Sequence, residues 1–213
     1  MYQLDTIEAR KADSAGNAIR EIGKYVGKFT QAEDITAKKG TRGVSLNFET
    51  DEGQKARLSI YTMKANGDKI MGHQTLMAIM ACMKLRGIEA KSGQVKHWNP
   101  DTRSEETKNG TIYPDLQNKP IGLLLETEDY LKSDGKTTGT HMVIKGVFQA
   151  GTELTASEIL DRKTKPEQLA RMVAGLRHRP LKGNQATPTA HAQSGANNGA
   201  DGSFDDLDSD ISF

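Results

Sequence analysis

Residues 44–63 alternate apolar and polar side chains on both sides of a short turn, and this pattern most limits what the chain can fold into. Successive side chains of a strand point to opposite faces, so this period of two predicts two strands that each bury one face. Asp51-Glu52-Gly53 supplies the turn between them. The residues predicted to face the core are Val44, Leu46, Phe48, Ala56, Leu58 and Ile60. The chain must therefore build a sheet around this hairpin.

Other segments support a mainly β protein. From Glu21 the sequence favours a strand, and Ile22–Phe29 contains two glycines of the kind that mark a bulge or a close approach by a ligand. Residues 121–131 and 141–148 predict two further strands around a turn at 133–136. Residues 38–43 read as a basic loop, and Asn66-Gly67-Asp68 as another turn. Phe48, Tyr130 and Phe148 are assigned to the core.

Residues 72–86 change to a helical period. Their predicted apolar face consists of Leu76, Ile79, Met80, Met83 and a less certain Met77. Gly87 is the expected helix stop. The face could pack under the sheet or form a dimer seam, and the pattern does not choose. Two capping-box patterns, Thr155–Glu158 and Thr164–Glu167, predict two short closing helices.

Residues 92–120 are polar and turn-rich, which predicts a long loop or a flexible hairpin carrying Trp98. About five strands with one helix between the third and fourth fit an OB-fold-like barrel. A different small barrel or an α+β sandwich would use similar elements. The predicted organisation is a polar lead-in at 1–20, a β domain at 21–150, short helices at 151–182, a flexible linker at 183–203 and an acidic tip at 204–213.

Charge is divided unevenly along the 213 residues. The whole chain carries a formal charge of +1, and five Asp at 201–213 leave +6 for residues 1–200. A basic body joined to an acidic tip suggests a polyanion-binding domain with an interaction tail. The single cysteine, Cys82, excludes an internal disulfide and fits a reducing cytoplasm. No long apolar run or signal pattern occurs, so neither a membrane partner nor export is expected.

The last nine residues are the most specific signal: Asp205-Asp206-Leu207-Asp208-Ser209-Asp210-Ile211-Ser212-Phe213. A terminal aromatic ring beside carboxylates suits a partner pocket that is apolar inside and basic at its rim. The alternative is a solubilising acidic tail, although solubility does not require Ile211 and Phe213. The residues expected to bind the partner are Asp205, Asp206, Asp208, Asp210, Ile211 and Phe213.

This tail resembles that of the single-stranded DNA-binding protein family of bacteria and their phages, whose members end in an acidic run followed by Ile-Pro-Phe or a close variant. Ser212 stands where proline is usual, which affects only the stiffness of the tip. The body looks more like a phage-encoded relative than the bacterial housekeeping form. The resemblance implies an OB-fold body, no catalysis, and tip-bound partners that act in DNA replication, repair and recombination.

Single strands are bound by positive grooves that carry aromatic platforms for stacked bases. Tyr61 is the clearest platform, because it shares a predicted strand face with Arg57. Trp98 is expected either to stack on a base or to fold back as a plug. Tyr25 and Phe29 are candidates too, with a slight preference for the core. The residues predicted to bind DNA are Lys24, Tyr25, Lys28, Phe29, Lys38, Lys39, Arg42, Arg57, Tyr61, Lys64, Lys96 and Trp98.

The sequence offers no argument for an enzyme. It has no phosphate-binding loop, dinucleotide fingerprint or nucleophile elbow, and its five histidines show no paired spacing. No cofactor or metal is therefore expected. The leading prediction is sequence-nonspecific binding of single-stranded DNA. The alternatives are a protein-interaction adaptor and a strand-annealing recombination protein, and homo-oligomerisation is left open.

Overall fold

A computed structural model describes residues 17–99, 104–132 and 134–181, with residues 6 and 102. This part of the chain contains seven strands and three helices. The strands are β1 Gly23–Thr36, β2 Arg42–Thr50, β3 Lys55–Met63, β4 Lys91–Asn99, β5 Ser104–Ile112, β6 Pro120–Leu131 and β7 Thr138–Phe148. The helices are α1 Met71–Cys82, α2 Ala156–Leu160 and α3 Leu169–Ala174, and a 3-10 turn covers Pro114–Leu116.

The hairpin predicted from the alternating pattern is confirmed. β2 and β3 pair antiparallel, with Leu46 opposite Leu58 and Phe48 opposite Ala56. Leu46, Phe48 and Leu58 are almost fully buried. Gly53 closes the turn at φ 82°, a left-handed conformation that glycine adopts without steric strain.

β1 is the long central strand of the sheet. It pairs with β2 along most of its length, with β6 through residues 23–28 and with β5 at Glu33. The register with β2 shifts between Phe29 and Gln31, so Thr30 is the extra residue of a β-bulge. Such a bulge bends the strand, which lets one strand serve several neighbours.

The mainly β class, with one helix inserted after β3 and two near the C-terminal end of the described chain, is confirmed. The strands number seven rather than five, and their hydrogen-bonded order is β3-β2-β1-β5-β4, with β6 joining β1 to β7. Among the described residues no ladder joins β3 to β7, so the sheet is open. The additional pair is β4–β5, which settles residues 92–120 mainly as a hairpin. This hairpin has the polar composition of a loop because, of its described residues, Val95 is the only one that is buried.

Helix α1 covers the core side of the sheet. Leu76, Ile79 and Cys82 are buried there, whereas Met77 is 41% exposed and does not join the core. The predicted stop at Gly87 is wrong. The helix ends at Cys82, and Lys84 then takes the left-handed φ of 57°. No described helix is long and apolar enough to cross a bilayer.

In the segment after β7, helix α2 packs against the main core and helix α3 packs against a second, smaller cluster. Leu169 of α3 forms a small buried cluster with Leu124 and Phe148. Beyond α3, Arg179 donates from Nε to the buried Glu126 carboxylate at 2.7 Å. These contacts fasten residues 151–181 to β6 and β7. Tyr130, expected in the core, is only half-buried and lies edge-on to His141 with ring centroids 5.0 Å apart.

Only the first predicted capping box is formed. Thr155 and Glu158 cap α2 reciprocally, with the Thr155 N–H donating to Glu158 Oε2 at 2.8 Å. The pattern at residues 164–167 does not start a helix. Instead the N–H groups of Glu167 and Gln168 donate to Glu158 Oε1 at 2.7 and 3.0 Å, and α3 begins at Leu169. These backbone hydrogen bonds hold the pKa of Glu158 down at about 2.

We expect Glu158→Gln to lower the melting temperature at neutral pH by several degrees, because an amide replaces a carboxylate that accepts bonds from three backbone N–H groups. A folded pKa near 2 lies below the unfolded value of about 4.3, so this stabilisation is complete above the unfolded value. It is lost as pH falls through the folded value. Thermal melts of both proteins between neutral pH and about pH 2 should therefore converge.

The matched control for this test is Glu52→Gln, which alters an exposed glutamate in the turn between β2 and β3. The control should melt like the unaltered protein throughout. A difference between Glu158→Gln and the unaltered protein that stays constant down to the lowest pH would contradict the assignment.

Candidate nucleic-acid interface

The sheet side opposite the buried core of β1, β2 and β3 carries three of the predicted contact residues: Lys28, Arg57 and Tyr61. Cross-strand register aligns its side chains in four rows, and these twelve residues are here called the outer face. In order, the rows are Lys28 with Glu49 and Lys55, Gln31 with Asn47 and Arg57, Glu33 with Ser45 and Ser59, and Ile35 with Gly43 and Tyr61. The outer face is thus mostly polar, with an aromatic ring in its last row.

Tyr61 lies against a glycine. A Cβ added to Gly43 would come 3.0 Å from Cδ1 of Tyr61 and 2.4 Å from the backbone oxygen of Ile60. The absent side chain therefore lets the Tyr61 ring pack closely on β2 while part of it stays exposed. Sequence reasoning placed Gly43 in a loop and so missed this pairing. A flat ring on a strand surface is the kind of platform on which a base can stack.

Arg57 is the cation in the two middle rows of the outer face. It is exposed, and its Nε donates to Ser45 Oγ at 3.4 Å. The side chain thereby leans toward the row next to that of Tyr61. Arg57 and Tyr61 are four positions apart in β3, a distance of about 13 Å along a strand. Charge and ring are therefore spaced along one surface, as the sequence predicted.

The first row of the outer face has mixed charge. Lys28 is exposed, as predicted for a phosphate contact. Glu49 stands between it and Lys55, and the Lys55 Nζ lies 4.0 Å from a Glu49 carboxylate oxygen. This single acid reduces the positive potential of the row without cancelling it.

Two loops bring further lysines to the end of the sheet at which Tyr61 lies. The loop at residues 37–41 carries Lys38 and Lys39, and the turn after β3 begins with Lys64. The loops touch, since a Cβ on Gly40 would come 2.9 Å from the Ala65 Cβ. All three lysines are exposed. Lys64, which the sequence did not link to the basic loop, is thus brought to the same end of the sheet as Lys38 and Lys39.

Arg42 does not belong to the loop, contrary to the prediction. It is the first residue of β2 and lies opposite Thr36 and Met63. The positive charge of Arg42 is close enough to Tyr113 to lower the pKa of the Tyr113 hydroxyl slightly. Burial and a hydrogen bond to Asp34 set that pKa at about 12. The exposed guanidinium therefore lies at the end of the sheet that holds Tyr61, and it also interacts electrostatically with Tyr113 of the Asp34–Tyr113 pair.

The β4–β5 hairpin, here called the arm, folds back toward β1. The Lys96 N–H donates to Oε1 of Gln31 at 2.8 Å, and Nε2 of Gln31 donates to the Lys96 carbonyl at 3.3 Å. Trp98 is 57% exposed. Lys96 and Trp98 alternate with His97, which contacts Glu33, so both side chains lie on the other face of the arm. Lys96 and Trp98 therefore lie beside the contact that joins the arm to Gln31 of the outer face.

Three predicted contact residues lie elsewhere. Phe29 is fully buried and meets Phe48 edge-on at 5.9 Å, so it cannot stack on a base. Tyr25 packs against the same core, donates to the Glu21 carbonyl at 2.8 Å and has its pKa raised mainly by burial. The prediction that these two rings bind DNA is therefore wrong, and the alternative that they belong to the core is confirmed. Lys24 faces outward but pairs with Glu153 at 2.8 Å.

Several outer-face residues were missed by sequence reasoning. Gln31, Asn47 and Ser59 are polar groups that reach the same surface as Arg57. Asn47 and Ser59 could have been found, because each alternates with buried residues of the recognised hairpin. Gln31 could not, since the bulge at Thr30 shifts the alternation of β1 by one residue.

Among the described residues, no group of three or more His, Cys, Asp or Glu is arranged to hold a metal ion. Cys82 is buried in the core and burial raises the pKa of its thiol to about 12, so it is a poor nucleophile. The predicted partner-binding residues Asp205–Phe213 lie outside the described residues. No protein-family model and no curated protein matches the chain.

Proposed function

We propose that this protein binds single-stranded DNA with little sequence preference across the outer face and the adjoining arm. The observation that carries the proposal is the Tyr61 ring on Gly43, on the surface of Arg57 and at the end of the sheet that holds Lys38, Lys39 and Lys64. A stacking ring beside several cations fits an unpaired strand, whose bases are free to stack. Duplex bases are already paired, so duplex should bind more weakly.

In this proposal the two kinds of residue have separate roles. Tyr61 and Trp98 stack on bases, and every base has a flat face, so stacking does not select a sequence. Lys28, Arg57 and the loop lysines contact phosphates, and their contribution falls as salt rises. No reaction is involved. The protein would coat and protect exposed strands during replication, recombination or repair, in a phage or bacterial setting.

We further propose that the sheet is a variant of the OB-fold with the arm inserted. Removing the arm leaves β1, β2, β3, β6 and β7, with α1 after the third of these strands. Residues of β3 and β7 approach within 8 Å between Cα atoms, which supports a curled sheet that is nearly closed. The OB-fold binds oligonucleotides on the face of its second and third strands. The outer face includes that surface.

The acidic C-terminal residues complete the proposal. Asp205, Asp206, Asp208 and Asp210 precede Ile211 and Phe213, and together they would recruit replication or recombination proteins through a basic-rimmed apolar pocket. The alternative function is a protein-interaction adaptor, which the acids of the interface favour: Glu49 on the outer face and Glu105 on the arm.

Titration with a labelled poly-dT strand and an equally long duplex tests the proposal directly. We expect tight binding to the strand, weak binding to the duplex, and an affinity that falls steeply with salt. Trp98 is the only tryptophan, so its fluorescence reports on the arm without any engineering. It should be quenched when the strand binds. A protein that binds no strand at low salt, with or without residues 201–213, would favour the adaptor.

A further inference from the structure

The arm is held to β1 by a side chain that replaces a strand. Gln31 accepts a hydrogen bond from the Lys96 N–H at 2.8 Å and donates one to the Lys96 carbonyl at 3.3 Å. These are the two bonds that a neighbouring strand would form with an edge residue. Gln31 also belongs to the outer-face row of Arg57. Its carboxamide therefore joins the edge that carries Trp98 to the surface that carries Arg57.

A second contact lies one row further along. Oε1 of Glu33 is 3.2 Å from Nε2 of His97, and a Cβ on Gly110 would come 3.7 Å from the same oxygen. The other carboxylate oxygen, Oε2, is buried and has no hydrogen-bond partner among the described residues. A buried carboxylate oxygen without a donor is unfavourable. A positive charge on His97 would compensate it.

The other charged groups that face His97 come from β5. Glu106 lies directly opposite His97 in the register, and Lys108 Nζ is 3.4 Å from a Glu106 oxygen. Hydrogen bonding from Asn99 is the main cause that lowers the pKa of Glu106, so that acid is charged over the range in which histidine titrates. His97 thus stands between Glu33 and a Glu106 that Lys108 partly neutralises. Protonation of His97 should tighten the contact.

We propose that Gln31 and Glu33 are positioning residues that keep the arm against the outer face, so that Tyr61 and Trp98 act as one continuous binding site. This inference rests on the proposed function. Two patches held rigidly together bind a long strand more tightly than two patches that move apart, because less conformational freedom is lost when the second contact forms. A short strand that reaches one patch gains nothing from this. The arm is also held more firmly when His97 is charged.

The strand length tests the role of Gln31. We expect Gln31→Ala to weaken binding of a dT strand of about 16 nucleotides by about threefold to tenfold and binding of a strand of about 4 nucleotides by clearly less. The control is Gln74→Ala, which alters an exposed glutamine on α1. Gln31→Glu keeps the acceptor for the Lys96 N–H and should recover part of the loss. Equal loss for both strand lengths would overturn the inference.

The pH profile tests the role of Glu33. Histidine changes charge between about pH 5 and 8, so the affinity of the unaltered protein for the long strand should rise as pH falls through this range. Glu33→Gln can still form a hydrogen bond with His97 but cannot pair with a charge on it. The increase in affinity as pH falls should therefore be about threefold smaller in this variant. His178→Gln removes a histidine that contacts Asp129 away from the arm and is the control for loss of a histidine elsewhere.

The outcomes separate the two proposals. If the unaltered protein binds neither strand, the proposed function fails. If it binds both, but Glu33→Gln keeps the pH profile of the unaltered protein, the role of the pair is wrong while the function stands. Trp98 emission of the DNA-free protein gives a direct readout. It should shift in Gln31→Ala and not in Gln74→Ala, and an unchanged spectrum would count against an arm that moves.

Discussion

Exchanging Lys28 and Arg57 for glutamate is expected to weaken binding of a long dT strand about 100-fold at low salt. Both cations are exposed on the outer face, in adjacent rows of three neighbouring strands. The exchange removes two phosphate contacts and introduces two repulsive charges. Because each contact releases counterions, the slope of log affinity against log salt should also become shallower by about 0.7 per contact. Fluorescence titration over a salt series measures both quantities.

The control is a second pair of charge reversals, Arg86→Glu with Lys165→Glu, which changes the net charge equally. Arg86 follows α1, on the core side of the sheet, and Lys165 lies in the segment between α2 and α3. This pair should bind nearly as tightly as the unaltered protein, so a large loss must come from the outer face. Equal losses in the two pairs would mean that only the total charge matters. The proposed interface would then be wrong.

Phe29→Ala is expected to lower stability by about 3–5 kcal/mol, because a fully buried ring is replaced by a cavity. Its edge-on contact with Phe48 at 5.9 Å is lost as well. For a chain of this size the melting temperature should fall by about 10 °C. Thermal unfolding followed by circular dichroism measures the change.

Tyr61→Ala is the counterpart of that experiment. Its ring is partly exposed on the outer face, so the melting temperature should change little while affinity for the strand falls by about 5- to 100-fold. Phe29→Leu should keep strand binding, because it retains an apolar side chain in the core. Strand binding that depends on Phe29 in a protein of normal stability would return this ring to the interface.

The hairpin around Tyr61 could be predicted because one physical rule decides it: alternate side chains must be buried together. The same rule gave the right face for Arg57. It could not be extended past Phe29 in β1, because the bulge at Thr30 interrupts the alternation and leaves no mark in the sequence. It also could not show that Gly43, opposite Tyr61, belongs to a strand, since glycines there read equally well as a loop.

The arm and the second capping pattern show what local sequence cannot decide. A hairpin that buries only Val95 has the composition of a loop, so the register of β4 with β5 had to come from the structure. Thr164–Glu167 has the residues of a helix start, but Glu158 takes the N–H groups of Glu167 and Gln168. A tertiary contact thus overrides a local preference. The C-terminal tip remains a prediction from sequence.

The carboxamide of Gln31 also bears on how copies of this protein avoid one another. β4 ends the hydrogen-bonded order of the sheet, and an unpaired strand edge is a template on which another chain can add a strand. By occupying both the N–H and the carbonyl of Lys96, one side chain interrupts that template in the middle of β4. Many copies crowded along a DNA strand could thus stay separate molecules instead of merging into a shared sheet.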